Sequence, residues 1–226
     1  MSKLQPQNLP LTHLVRPPRK EVDLPPLLIL LHGLGSNQHD LFGTSRLLDE
    51  RFLILSPCGP YALGGDSFAW YEVEFNPTGK SINPSQIEES RKLLIQFIQE
   101  AVTTYGADPQ QVYLMGFSQG AIMSANVALT RPDLVTGLVL MSGRILPKLL
   151  TIKHEPEELA GLSFLVIHGT EDTVLPIEDG RAIRELLSEL PVNLTYSEYE
   201  MGHEVSRASL TEVVRWLSAR LDELEP

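Results

Sequence analysis

The chain has 226 residues, 42% of them hydrophobic, which suits one domain around one large core. Its 29 acidic residues against 18 basic ones give a formal net charge of -11. That balance lacks the clustered Lys and Arg that a nucleic-acid backbone needs, and it disfavours attachment to anionic membranes by charge alone. One cysteine, Cys58, excludes an intrachain disulfide.

Residues 1–26 read as an N-terminal leader with an edge strand around 11–16, closed by Pro25-Pro26; residues 27–226 read as one catalytic domain. The leader has no apolar run of signal-peptide length, and no stretch approaches the roughly 20 apolar residues of a membrane span. A soluble cytoplasmic protein is expected. Residues 27–32 form a continuous apolar run ending in glycine, as a strand buried on both faces does, and 51–56 form a second, closed by Pro57 and Gly59-Pro60. The spacing of Ile87, Leu94, Ile95, Ile98, Val102 and Tyr105 predicts a helix over 85–105, with Glu88 and Glu89 in its first turn and Gly106 as its C-cap. Beyond it, strand 111–117 leads into helix 118–130. Residues 135–141 and 163–168 read as further buried strands, 179–190 as a helix, 192–199 as an alternating strand and 207–224 as a last amphipathic helix. Strands separated by such helices imply βαβ units and a mainly parallel sheet covered on both faces, with chemistry gathered in the loops after the strands.

One of those loops carries Gly116-Phe117-Ser118-Gln119-Gly120. Between an apolar strand and a helix, Gly-x-Ser-x-Gly is the nucleophile elbow of the α/β-hydrolase fold: a sharp turn lifts the serine hydroxyl off the sheet, and the glycines leave room for it. A serine needs a base, and in this fold an acid and then a histidine follow it in the chain. His13, His32 and His39 precede Ser118, His154 has no strand ahead of it, and His168 precedes the acidic loop. His203 follows the last strand and precedes the last helix, so it is the expected general base. The orienting acid belongs in the loop Gly169-Thr170-Glu171-Asp172, where both carboxylates are candidates. For the oxyanion hole, the amide of Gln119 at a helix N-terminus is one expected donor, and that of Leu34, in His32-Gly33-Leu34-Gly35, is the other.

These pieces resemble the carboxylesterase/phospholipase family that includes the acyl-protein thioesterases. The likeness runs in order through Leu31-His32-Gly33-Leu34-Gly35, Ser67-Phe68-Ala69-Trp70-Tyr71, the pentapeptide with Ala121, the stretch from His168 to Pro176, and Met201-Gly202-His203-Glu204-Val205. It implies an α/β-hydrolase with no large lid domain, acting on small-molecule esters without cofactor or metal, as a monomer or homodimer. It selects Asp172 over Glu171, giving the triad Ser118, Asp172 and His203. It also implies a substrate pocket bordered by Phe68, Trp70, Tyr71, Ile145, Leu146 and Val174, with core packing the alternative for the aromatics. Residues 142–161 read either as a short flap over the acyl chain or as a packed surface helix. Ser36-Asn37-Gln38-His39-Asp40 follows Gly35 where the thioesterase branch carries an acidic residue, so the resemblance is stronger to bacterial carboxylesterases.

The expected activity is hydrolysis of short- to medium-chain carboxylic esters, with lysophospholipase or acyl-thioesterase chemistry as alternatives at the same site. A non-catalytic binding protein on the same fold is the rival from another class. A metal centre is not expected, because His203-Glu204-Val205-Ser206-Arg207 stops short of H-E-x-x-H.

Overall fold

A computed structural model describes residues 7–76, 79–146 and 156–223. In chain order the strands are β1 (His13–Arg16), β2 (Leu27–Leu31), β3 (Leu53–Pro57), β4 (Tyr61–Gly64), β5 (Ser67–Ala69), β6 (Val73–Asn76), β7 (Gly79–Ile82), β8 (Val112–Phe117), β9 (Gly137–Met141), β10 (Ser163–Gly169) and β11 (Asn193–Tyr199). The helices are α1 (Pro84–Tyr105), α2 (Gln119–Ala128), α3 (Pro156–Leu159), α4 (Ile177–Ser188) and α5 (Arg207–Asp222). Seven strands form one sheet in the order β1-β3-β2-β8-β9-β10-β11, with β1 antiparallel to β3 and every other pair parallel.

Strands β2, β3, β9 and β10 are buried at every residue, which is why they read as unbroken apolar runs. Side chains alternate across the sheet and divide the core in two. Leu27, Ile29, Leu31, Leu114, Leu138 and Leu140 pack with α1, α2 and α4; Leu28, Leu30, Met115, Val139, Leu165 and Ile167 pack under α5. Each fully buried Leu or Ile contributes about 1.5–3 kcal/mol relative to exposure. Surface ion pairs contribute about 0–1 kcal/mol each, so packing on this sheet dominates the stability.

Helix α1 begins one residue before its expected start. Pro84 occupies its first turn, and Asn83 caps it by accepting the Ser85 amide through its side chain at 3.1 Å. Glu88 and Glu89 therefore lie beyond the first turn, against expectation: Glu88 pairs with Arg91, and Glu89 accepts a hydrogen bond from the Tyr61 hydroxyl. Gly106 ends the helix at φ 65°, a left-handed conformation that glycine adopts without penalty. Two short ribbons, β4-β5 and β6-β7, lie within residues 61–76 and 79–82, where the sequence pattern indicates no element. Among the described residues, no helix is long and apolar enough to cross a membrane.

Just ahead of β3, Arg51 ties Asp49 at 2.8 Å to Asp222 of α5 at 2.7 Å. Its hydrogen bond outweighs burial and holds the Asp49 carboxyl down at about 2. A depressed carboxylate contributes stability above its unfolded pKa, near 4, and loses it as pH falls through the folded value. Asp49→Asn is thus expected to cost about 2 kcal/mol near neutrality, with the gap to wild type narrowing below about pH 4. Urea unfolding of both proteins along a pH series reads this directly.

Candidate active site

Strand β8 turns into α2 through Ser118, whose φ of 54° and ψ of -117° are strained for a residue with a side chain. The Ser118 amide donates to Met141 O at 2.9 Å, and its carbonyl accepts from Ile122 N at 3.1 Å, so the strain is held from β9 and from the first turn of α2. The flanking glycines are required by space. A Cβ on Gly116 would lie 2.4 Å from the carbonyl of Gly120, and one on Gly120 would lie 2.0 Å from Leu31 O. Because the obstacle at Gly120 is backbone, Gly120→Ala is expected to cost about 3 kcal/mol or more, read as a clear fall in Tm.

The loops after β10 and β11 meet backbone to backbone. Glu171 N donates to Met201 O at 3.1 Å, and a Cβ on Gly169 would lie 2.2 Å from that carbonyl. This contact brings Asp172 and His203 together. His203 Nδ1 lies 2.7 Å from Asp172 Oδ2, and His203 Nε2 lies 2.8 Å from Ser118 Oγ. The Phe117 ring packs against the imidazole at 4.9 Å. Asp172 is buried, and its Oδ1 accepts the amides of Val174 and Leu175, each at 2.9 Å. Burial pushes the carboxyl upward, but the His203 hydrogen bond and these two amides prevail and hold it below the usual carboxylate range. Glu171, the other carboxylate of the loop, is exposed.

His168 is fully buried behind Asp172. Its Nε2 donates to the carbonyl of Leu175 at 2.8 Å and stands 3.6 Å from Asp172 Oδ2. Gly180 makes space for the ring, since a Cβ there would approach it to 2.7 Å. His168 thus holds the loop that presents the acid.

Gly33 passes close to the elbow: a Cβ on it would lie 3.4 Å from Ser118 Cβ. The loop it starts is pinned on several sides. Gly35 N donates to Phe68 O at 2.9 Å and Phe68 N to Ser36 O at 2.8 Å. Trp70 Nε1 donates to His32 O at 3.0 Å, and Gly59 N donates to His32 Nε2 at 2.9 Å. His32 Nδ1 therefore carries the ring proton and donates to Gly33 O at 2.7 Å. Burial lowers the His32 pKa, so the ring braces this loop in its neutral form. The Leu34 amide donates to no acceptor among the described residues, and the Gln119 amide is a free first-turn donor of α2.

Of the expected pocket residues, four pack in or against one core cluster. Trp70 and Tyr71 are 0% and 2% exposed, and Leu146 is buried with them in the core, with Ile145 packed alongside. Both aromatics pack in the core, and the loop that bears them is drawn inward. The buried Gln119 side chain accepts Trp70 N through Oε1 and donates to Tyr71 O through Nε2, both at 2.7 Å. Phe68 is half-buried and lines a cavity of about 380 Å³ with Leu11, Cys58 and Leu93, whose lining includes none of Ser118, Asp172 and His203. Val174 is 46% exposed. Of the segment 142–161, residues 147–155, and with them His154, lie outside the described residues. Neither the Gln119 side-chain staple nor the His168 brace follows from spacing; the only signals are a glutamine opening a mostly apolar helix and a histidine near the end of an apolar strand. Among the described residues, no three His, Cys, Asp or Glu side chains converge as ligands for a metal ion.

The family described as Phospholipase/Carboxylesterase matches residues 14–221. Carboxylesterase SOBER1 of Arabidopsis thaliana is 27% identical over 206 residues, covering 86% of this chain and 90% of its own. Acyl-protein thioesterase 1 of Gibberella zeae is also 27% identical, over 212 residues and the same shares of each chain. The crystal structure of a Bacillus cereus carboxylesterase superposes with a TM-score of 0.80 at 22% identity, over 92% of this chain and 94% of its own, a likeness of fold. With its mainly parallel sheet, its elbow and this match along nearly its whole length, the chain belongs to the phospholipase/carboxylesterase family and is a serine hydrolase of the α/β-hydrolase fold.

Proposed function

We propose that the chain is a carboxylesterase that hydrolyses short- to medium-chain esters through Ser118, His203 and Asp172. The observation that carries this is the unbroken path of hydrogen bonds from Ser118 Oγ through His203 to Asp172, at 2.8 and 2.7 Å. His203 Nε2 takes the hydroxyl proton as Ser118 Oγ attacks the ester carbonyl, and Asp172 stabilises the imidazolium that forms. The amides of Leu34 and Gln119 receive the charge on the carbonyl oxygen, a contribution of several kcal/mol. His203 then gives its proton to the departing alcohol, leaving Ser118 acylated; a water activated by the same imidazole releases the acid and restores the serine.

Short acyl groups fit the exposed apolar side chains on these loops, Leu34 and Val174, which offer cover for a few methylenes at about 0.8 kcal/mol each. In an assay of p-nitrophenyl acetate, butyrate, octanoate and palmitate, kcat/KM is expected to peak at butyrate or octanoate. A fluorophosphonate is expected to form one adduct, on the peptide bearing Ser118. Wild-type protein that hydrolyses none of these esters and takes no label would reject the proposal.

A further inference from the structure

We propose that Arg144 makes this site selective for esters that carry a second, anionic group, a carboxylate received by the guanidinium. The inference rests on the esterase reading above and names its substrate class. Beyond β9 the chain is locked beside the elbow. Ser142, fully buried, sits at a strained φ of 47° and donates its amide to Ile167 O at 2.9 Å, while Gly143 packs so closely that a Cβ on it would lie 2.7 Å from Ala121 Cβ. Ala121 lies in the first turn of α2, and Ile167 lies in the strand that leads to Asp172. Arg144 thus leaves the sheet between the nucleophile turn and the acid loop.

Its guanidinium has no hydrogen bond or ion pair with the described residues, and its Nε is shut off from solvent without a partner. Arg91, Arg131 and Arg181, by contrast, each lay two nitrogens on one carboxylate. In a chain with 29 acidic residues, a half-buried cation that no described residue matches, on the segment packed against α2 and β10, suits an acceptor from outside. Its charge reaches Tyr71, whose carbonyl is fastened to Gln119, and Asp179 at the start of α4. Asp179 does not contact it as an ion pair, and burial pushes that carboxyl upward, which weakens it as an internal partner. One guanidinium next to one carboxyl, in a protein of net charge -11, suits a monoanion better than a dianion. A carboxylate matches the guanidinium fork with two parallel hydrogen bonds.

The carboxylate can sit on the acyl or the alcohol side of the ester, so the test has two arms. One compares p-nitrophenyl hydrogen glutarate with p-nitrophenyl butyrate; the other compares 4-acetoxybenzoate with phenyl acetate. In Arg144→Gln the kcat/KM ratio of anionic to neutral ester is expected to fall by about tenfold or more in one arm. Arg144→Lys should recover part of that ratio, and Arg144→Glu should lower it further. If these variants fold poorly, wild type alone still decides: butyrate ion should inhibit hydrolysis of a neutral ester more strongly than butyramide does. A ratio independent of Arg144 in both arms, or equal inhibition by butyrate and butyramide, overturns the inference while leaving the esterase standing. Wild type inert to every ester and to fluorophosphonate removes both.

Discussion

Ser118→Ala and His203→Ala are each expected to lower kcat for p-nitrophenyl butyrate by about 10⁴-fold or more, and the double variant by no more than either alone. The reason lies in the geometry. Ser118 Oγ has His203 Nε2 at 2.8 Å as its one side-chain partner among the described residues, so the proton it must lose has one way out. Without the imidazole the hydroxyl stays a weak nucleophile; without the hydroxyl the imidazole has nothing to activate. What is expected to remain in all three variants is the proposed oxyanion pair, the amides of Leu34 and Gln119, which would still favour attack by water to a small degree. Neither side chain supports the core: Ser118 is held by its backbone bonds to Met141 and Ile122, and His203 sits on a loop at partial exposure. Thermal melting should therefore be nearly unchanged. Near-normal turnover in His203→Ala would move the general base elsewhere, and additive losses in the double variant would show that the two side chains do not act as one unit.

The legible part of this protein was the part in which one force dominates. Strands β2, β9 and β10 are covered on both faces, so hydrophobic burial alone selects their residues and they stand out as apolar runs. The elbow was legible because steric exclusion admits only glycine at 116 and 120, which turns a packing constraint into a letter pattern. His203 followed from chain order. The choice between Glu171 and Asp172 did not follow from the residues, because both are carboxylates in one loop. Tertiary contacts separate them: the amides of Val174 and Leu175 and the ring of His203 all converge on Asp172, while Glu171 points to solvent. Residues 61–82 were opaque for a related reason. Their ribbons are three or four residues long, and they take their order from distant partners, Ser36 for Phe68 and Gln119 for Trp70 and Tyr71. Placing those aromatics at a pocket followed the family likeness; Trp70 and Tyr71 are buried in the core cluster, and Phe68 is half-buried. An arginine such as Arg144, with no hydrogen-bond partner among the described residues, leaves no pattern in a sequence at all, since its meaning lies in how its neighbours are arranged in space.

Asp172→Asn is expected to lower kcat by about 10⁴-fold at neutral pH, although it changes neither the size nor the burial of the side chain. Oδ1 of Asp172 accepts two backbone amides, so in the variant the carboxamide oxygen must take that position. The carboxamide nitrogen then faces His203, where Oδ2 now stands 2.7 Å from Nδ1. A nitrogen that donates requires Nδ1 to accept, which moves the ring proton to Nε2. Nε2 lies 2.8 Å from Ser118 Oγ and would present an N–H to the hydroxyl whose proton it must remove. The imidazole keeps its place and loses its function, and the carboxylate that stabilised the imidazolium is gone as well. Fluorophosphonate labelling of Ser118 should slow in parallel with turnover while the thermal transition stays cooperative. Glu171→Gln is the control, because that side chain is exposed, and it should retain most of the activity. If Glu171→Gln proved the more damaging substitution, the hydrogen bond between Asp172 and His203 would not be the one that orients the base.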